Sequence, residues 1–142
     1  MTDDVFARRT RGFEESLAIL EGLARTPWER FEADPEKYGS AERFLQVVVG
    51  LLGDLGAHLV ARSGAGPVEH YRDVPSRFVE AGLLDEAQAA LWHRVIGVRD
   101  VIVDQYLDVD RRIVFELLQH RLGDLCDLHR ADPGPSSFLC VT

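Results

Sequence analysis

A chain of 142 residues, 46% of them apolar, has the size of one domain and enough length to bury a real core. Its formal net charge of −8 argues against broad, sequence-independent adhesion to nucleic acid, which needs a basic surface, but leaves room for a small basic cleft. Of the 16 basic residues only Lys37 is lysine; arginine pairs better with phosphate or carboxylate, although a base-composition bias in the genome is the plainer explanation.

Glycine and proline cluster between long periodic runs, with no sheet-like alternation and no internal repeat. The pattern predicts an all-α fold, an antiparallel helical bundle. The first residues, MTDDVFARRTRG, lack the apolar core of a signal peptide. The greasiest region, Phe44 to Val60, is interrupted by Gln46, Asp54 and His58 and reads as too short and too polar to span a membrane. Cys126 and Cys140 have no metal-type spacing and read as reduced thiols of a cytoplasmic protein.

In chain order, a first helix is expected from Asp3 to Leu23, burying Val5, Phe6, Phe13, Leu17, Leu20 and Ile19 and ended by Thr26-Pro27. Trp28 to Phe31 forms a single turn whose rings cap one end of the core, and Asp34-Pro35 breaks the chain again. Ser40 is the expected N-cap of a second long helix, Ala41 to Arg62. Gly50, Gly53 and Gly56 recur every third residue within it; each costs roughly 1 kcal/mol relative to alanine, which implies close approach by another helix. Ser63 to Pro67 reads as a turn, Pro75 to Ala81 as a short helix ended by Gly82. Asp85 then caps a helix reaching Gln105, and Asp110 caps a last helix from Arg111 to His129. Residues 132–142 read as a flexible tail with an apolar tip, leaving 1–131 as the helical domain.

The helix from Asp85 carries two apolar stripes, Leu91-Val95-Val98-Ile102 and Trp92-Ile96-Arg99-Val103-Tyr106. Arg99 and Tyr106 should therefore emerge from a greasy wall. Asp100 and Asp104 share the next stripe at i and i+4, an unfavourable pairing that suggests a purpose beyond helix formation. Two such oxygens can converge on a hard cation, but without a third ligand the site would be weak, and no metal or cofactor is expected. The five histidines invite a structural reading. His58 looks like a satisfied imidazole near the bundle face, and His93 lies two turns below Asp100. His70, His120 and His129 look like surface or helix-end residues. No Ser/His/Asp motif, phosphate loop or Cys/His metal pattern is present.

Three segments together, SAERFLQVVVGLLGDLGAHLVAR (Ser40 to Arg62), EHYRDVPSRFVEAGLL (Glu69 to Leu84) and VIGVRDVIVDQYLDVDRRIVFELLQHRLGDL (Val95 to Leu125), resemble the HepT-like branch of the HEPN superfamily. The resemblance spans residues 5–130 and preserves the order of helices, breaks and caps. It implies a helical homodimer whose cleft carries a motif of Arg, four residues, His, one residue, Tyr. Active members of that family are toxins that cut RNA without a metal. They are encoded with a minimal nucleotidyltransferase antitoxin of the MntA type, which silences them by adding AMP to the motif tyrosine. On this chain the arginine falls on Arg99 and the tyrosine on Tyr106, the AMPylation candidate.

The motif histidine falls on Asp104, and the asparagine usual after the arginine falls on Asp100. A metal-free ribonuclease needs a base for the ribose 2′-hydroxyl and positive charge for the strained phosphate. A free carboxylate is the weaker base, its ordinary pKa lying roughly 2.6 below that of imidazole, and it repels the phosphate it must approach. Arg99, Asp104 and Asp100 thus form the expected catalytic set, with cleavage weakened or lost. The alternatives are a catalytically degenerate dimer that serves as the binding subunit of a nucleotidyltransferase, and a stand-alone dimeric scaffold.

Overall fold

The computed structural model describes residues 2–65 and 67–130; the expected tail, with its apolar tip, lies outside them. Helix α1 (Asp3–Leu23) starts where the Thr2 hydroxyl accepts the Val5 N–H at 3.3 Å, with Asp3 and Asp4 against the positive helix end. It buries Phe6, Phe13, Leu17 and Leu20, whereas Ile19 falls off that stripe and is exposed. Helix α2 (Trp28–Ala33) is short.

Helix α3 (Pro35–Val60) begins six residues earlier than the sequence suggested. Asp34, not Ser40, is its N-cap, accepting the Glu36 N–H at 2.9 Å. Pro35 sits in the first turn, where its missing N–H costs nothing. An Asp-Pro pair that breaks one helix is here the start signal of the next.

The longer α3 also revises its membrane reading, because by length and composition the helical stretch Pro35–Gly64 could cross one. It is instead the central element of the bundle, packed chiefly along α1 and touching α2, α5 and the elements that follow it. Close to half of its most apolar window is buried there, as befits a core helix.

A wide turn at Ala61–Ala65 contains Gly64 at φ 86°. A single 3₁₀ turn, Tyr71–Asp73, leads into α4 (Val74–Glu80), and Gly82 at φ 75° lets the chain reverse. Helix α5 (Glu86–Asp104) opens on a capping box: the Gln88 N–H donates to Asp85 Oδ1 at 2.7 Å, and the Asp85 N–H donates to Gln88 Oε1 at 3.0 Å. Asp110 caps α6 (Arg111–His120) by accepting the Arg112 N–H at 2.9 Å.

The expected single last helix is two. Arg121, at φ −124° and ψ −1°, separates α6 from α7 (Leu122–Arg130). Its guanidinium folds forward onto Asp124 at 3.1 Å, and Gly123 lowers the cost of a break there. The apolar stripe survives the break, since Val114, Leu118, Leu122, Leu125 and Leu128 are all buried.

Two aromatic groupings anchor the interior. Trp28, Phe31 and Phe115 close one end, the Phe115 ring lying 5.2 Å from Trp28 and 5.3 Å from Phe31. His129, expected near the surface, is buried and stacked on Phe13 at 4.5 Å, because α7 returns along α1. Cys126 is also buried in α7 and is not a free thiol, against the reading of both cysteines as reduced. Cys140 lies outside the described residues.

The glycine series on α3 divides. A Cβ at Gly56 would sit 2.6 Å from Val74 Cγ1 and 3.1 Å from Trp92 Cη2, and one at Gly53 would meet the Tyr71 ring at 3.2 Å. These two glycines permit the close approach that the sequence implied. Gly50 has nothing within 4 Å of such a Cβ and borders open space instead.

Candidate functional site

That open space is a cavity of about 420 Å³ between α3, α5 and the segment leading into the 3₁₀ turn, a volume within the range of small-ligand sites. Val49, Gly50 and Gly53 form its α3 wall, and Ile96, Arg99 and Asp100 its α5 wall. The third wall is the run Glu69-His70-Tyr71-Arg72. The missing side chain at Gly50 leaves room there, while that at Gly53 admits the Tyr71 ring.

Two contacts hold the third wall in place. The Tyr71 hydroxyl donates a hydrogen bond to Asp54 Oδ1, with its ring against Gly53. Arg9 of α1 pairs with the other Asp54 oxygen at 3.6 Å. The bond to Asp54 holds the Tyr71 phenol above the usual tyrosine range, with burial adding to the effect. One residue on, Arg72 pairs with Asp100 at 3.7 Å, which ties the segment to α5.

Arg99 and Asp100 are brought together as the sequence suggested, at 3.5 Å, both about one-third exposed. Asp100 thus stands between two guanidinium groups, one from its own helix and one from the opposite wall. Such loose, partly exposed pairs add little stability, so their consequence is geometric. The buried Nε of Arg99 has no hydrogen-bond partner among the described residues. A buried donor without an acceptor is costly, and in native proteins it is often completed by a ligand or solvent.

Asp104 and Tyr106 are not part of the cavity wall. Asp104 is the last residue of α5 and exposed, and Gln105 at φ −130° and ψ 46° is already non-helical. Tyr106 therefore leaves the helical stripe projected for it and is 71% exposed, beside Leu107 at 86%. The pair Asp100 and Asp104 gains no third ligand, since no group of three His, Cys, Asp or Glu among the described residues is placed to hold a metal.

Sequence reasoning passed over Arg72, Tyr71, Asp54 and Arg9, whose proximity arises only when α1 and the 69–72 segment fold onto α3. Four consecutive side chains able to carry charge or donate hydrogen bonds, Glu69 to Arg72, were the available signal. His58, read as structural, packs its ring 5.5 Å from Phe6, and burial lowers its pKa from the ordinary histidine value.

The class of protein is an all-α bundle with an arginine-bearing cleft and an exposed tyrosine just past the end of the same helix. Residues 13–131 match the family described as ribonuclease HepT-like, and the chain belongs to that family. No curated protein matches it in sequence. Among solved structures it is similar to the tri-AMPylated HEPN toxin of Shewanella oneidensis in complex with its MNT antitoxin. The TM-score is 0.80 at 18% identity, over 90% of this chain and 95% of that one. A toxin–antitoxin structure containing AMP-PNP superposes with a TM-score of 0.78 at 17% identity, covering 90% of this chain and 96% of the other. At such identities the likeness establishes the fold.

Proposed function

We propose that this protein is the ribonuclease toxin of a toxin–antitoxin pair, acting as a cytoplasmic homodimer and held in check by a minimal nucleotidyltransferase of the MntA type. The observation that carries the reading is Arg99: a partly buried guanidinium on a cavity wall, with one donor lacking an acceptor. A phosphodiester supplies the missing acceptors and the charge that arginine geometry suits. Asp100 keeps the guanidinium in place, and Asp104 stands where the family motif has its histidine. The exposed apolar side chains Val101, Val103, Leu107 and Ile113 around the end of α5 favour a second copy packing there.

Tyr106 is the target of silencing. Its hydroxyl stands away from the bundle, where another protein's active site can reach it without unfolding the helix. Adding AMP there would place a bulky anion at the end of the helix that carries Arg99.

One observation favours a second reading. Asp100 already pairs with both Arg99 and Arg72, which suits a cleft that has given up phosphate binding and survives as the antitoxin's binding surface. Incubating the purified chain with RNA and a metal chelator separates the two. Native protein should cleave and Arg99→Ala should lose about 100-fold or more. Tyr106→Phe should still cleave but take up no AMP from the nucleotidyltransferase and ATP. An inert native chain that still binds the nucleotidyltransferase would establish the degenerate reading.

A further inference from the structure

A carboxylate at position 104 leaves the proposed ribonuclease short of a good base, and the cavity holds an imidazole that the family motif does not contain. We infer that His70 is the proton-accepting residue of this cleft, taking the part of the absent motif histidine from a different segment of the chain. The inference rests on the ribonuclease reading above and names a residue for its central step.

Three observations carry it. His70 lines the same cavity as Arg99, opposite the α5 wall, and a site of about 420 Å³ is small enough for one nucleotide to meet both walls. Its position is fixed from the following residues: the Tyr71 hydroxyl is tied to Asp54 with its ring against Gly53, and Arg72 pairs with Asp100 at 3.7 Å. The imidazole itself is exposed, and no hydrogen bond or ion pair engages it among the described residues, so both ring nitrogens are open to a substrate. By contrast, Asp104 does not line the cavity at all.

The charged groups around His70 balance. Glu69 precedes it on its own segment and Asp100 faces it from α5, against Arg72 and Arg99; Asp54 is already engaged by Tyr71 and Arg9. The cleft therefore need not repel a phosphate, and imidazole is the side chain suited to moving protons near neutral pH. In the step assigned to it, a neutral His70 nitrogen takes the proton of the ribose 2′-hydroxyl. The 2′-oxygen forms a bond to phosphorus, and the bond from phosphorus to the 5′-oxygen breaks. Arg99 faces the equatorial oxygens, and the departing 5′-oxygen takes a proton from water. The products are a 2′,3′-cyclic phosphate and a 5′-hydroxyl end.

The test measures cleavage of a single-stranded RNA, with chelator, by the full chain and its His70→Ala, Asp104→Ala and Arg99→Ala variants. Circular dichroism and size exclusion establish that each variant folds as the native chain does. His70→Ala should lose about 100-fold or more, and more than Asp104→Ala loses. The acidic limb of the rate–pH profile should vanish in His70→Ala, and free imidazole should restore part of its rate, which a structural role would not permit. If His70→Ala cleaves like native while Arg99→Ala is inactive, His70 is not the base and the ribonuclease reading stands. An inert native chain, or Arg99→Ala equal to native, overturns both.

Discussion

Gly56 and Gly50 lie less than two turns apart on α3, yet they meet opposite surroundings. Around Gly56 the contact with α4 and α5 is closed: Val74 and Trp92 are fully buried and would collide with a single added methyl. Around Gly50 a cavity lies between α3 and α5, and Arg99, Asp100 and the 69–72 segment enclose space rather than one another. The same division runs along α5, where Trp92 is 1% exposed and Val103, three turns on, is 38% exposed. Close packing at one end holds the helices rigidly enough for the other end to stay open, so stability and chemistry are separated along one pair of helices.

The sharpest way to break this division is at Trp92. Trp92→Ala should cost about 3–5 kcal/mol in chemical denaturation, the range for removing a buried aromatic ring. A cost below about 1 kcal/mol would mean that the closed end does not hold the bundle together. Gly56→Ala comes next and should destabilise by about 1–2 kcal/mol, because overpacking against Val74 outweighs the gain in helix propensity. Gly50→Ala should do the reverse, stabilising by up to about 1 kcal/mol, since its Cβ meets nothing. Equal effects at the two glycines would erase the contrast.

The smallest expected effect concerns pH. Burial lowers the His58 pKa in the folded chain, so the unfolded chain binds more protons once the pH falls below about 6.5. Stability should therefore decrease as the pH drops through that value. The urea midpoint measured from pH 8 to pH 5 should fall further for the native chain than for His58→Gln.

Much of the fold was legible in the residues. The Asp85 and Asp110 caps, the reversal at Gly82, the first helix and the stripe from Val114 to Leu128 depend on interactions within a few positions, which periodicity and capping chemistry reveal. The start of α3 was missed because Asp34-Pro35 carries two meanings, and the break at Arg121 because the apolar stripe runs through it unchanged. Of the site, Arg99 with Asp100 could be read as helix neighbours. Placing Tyr106 on the Arg99 stripe failed because the helix stops at Asp104.

The sequence by itself determined the helices, most of their caps and the residues at the end of α5 that mark the family. Only the tertiary structure decided that Arg72 would share Asp100 with Arg99, that His70 would line their cavity, and that Asp104 would stand outside it. The reason is one of range. A helix and its caps arise from groups within about four residues of each other, whereas the cleft joins three segments separated along the chain, and what brings them together is the packing of Trp92 and Val74 against a glycine face.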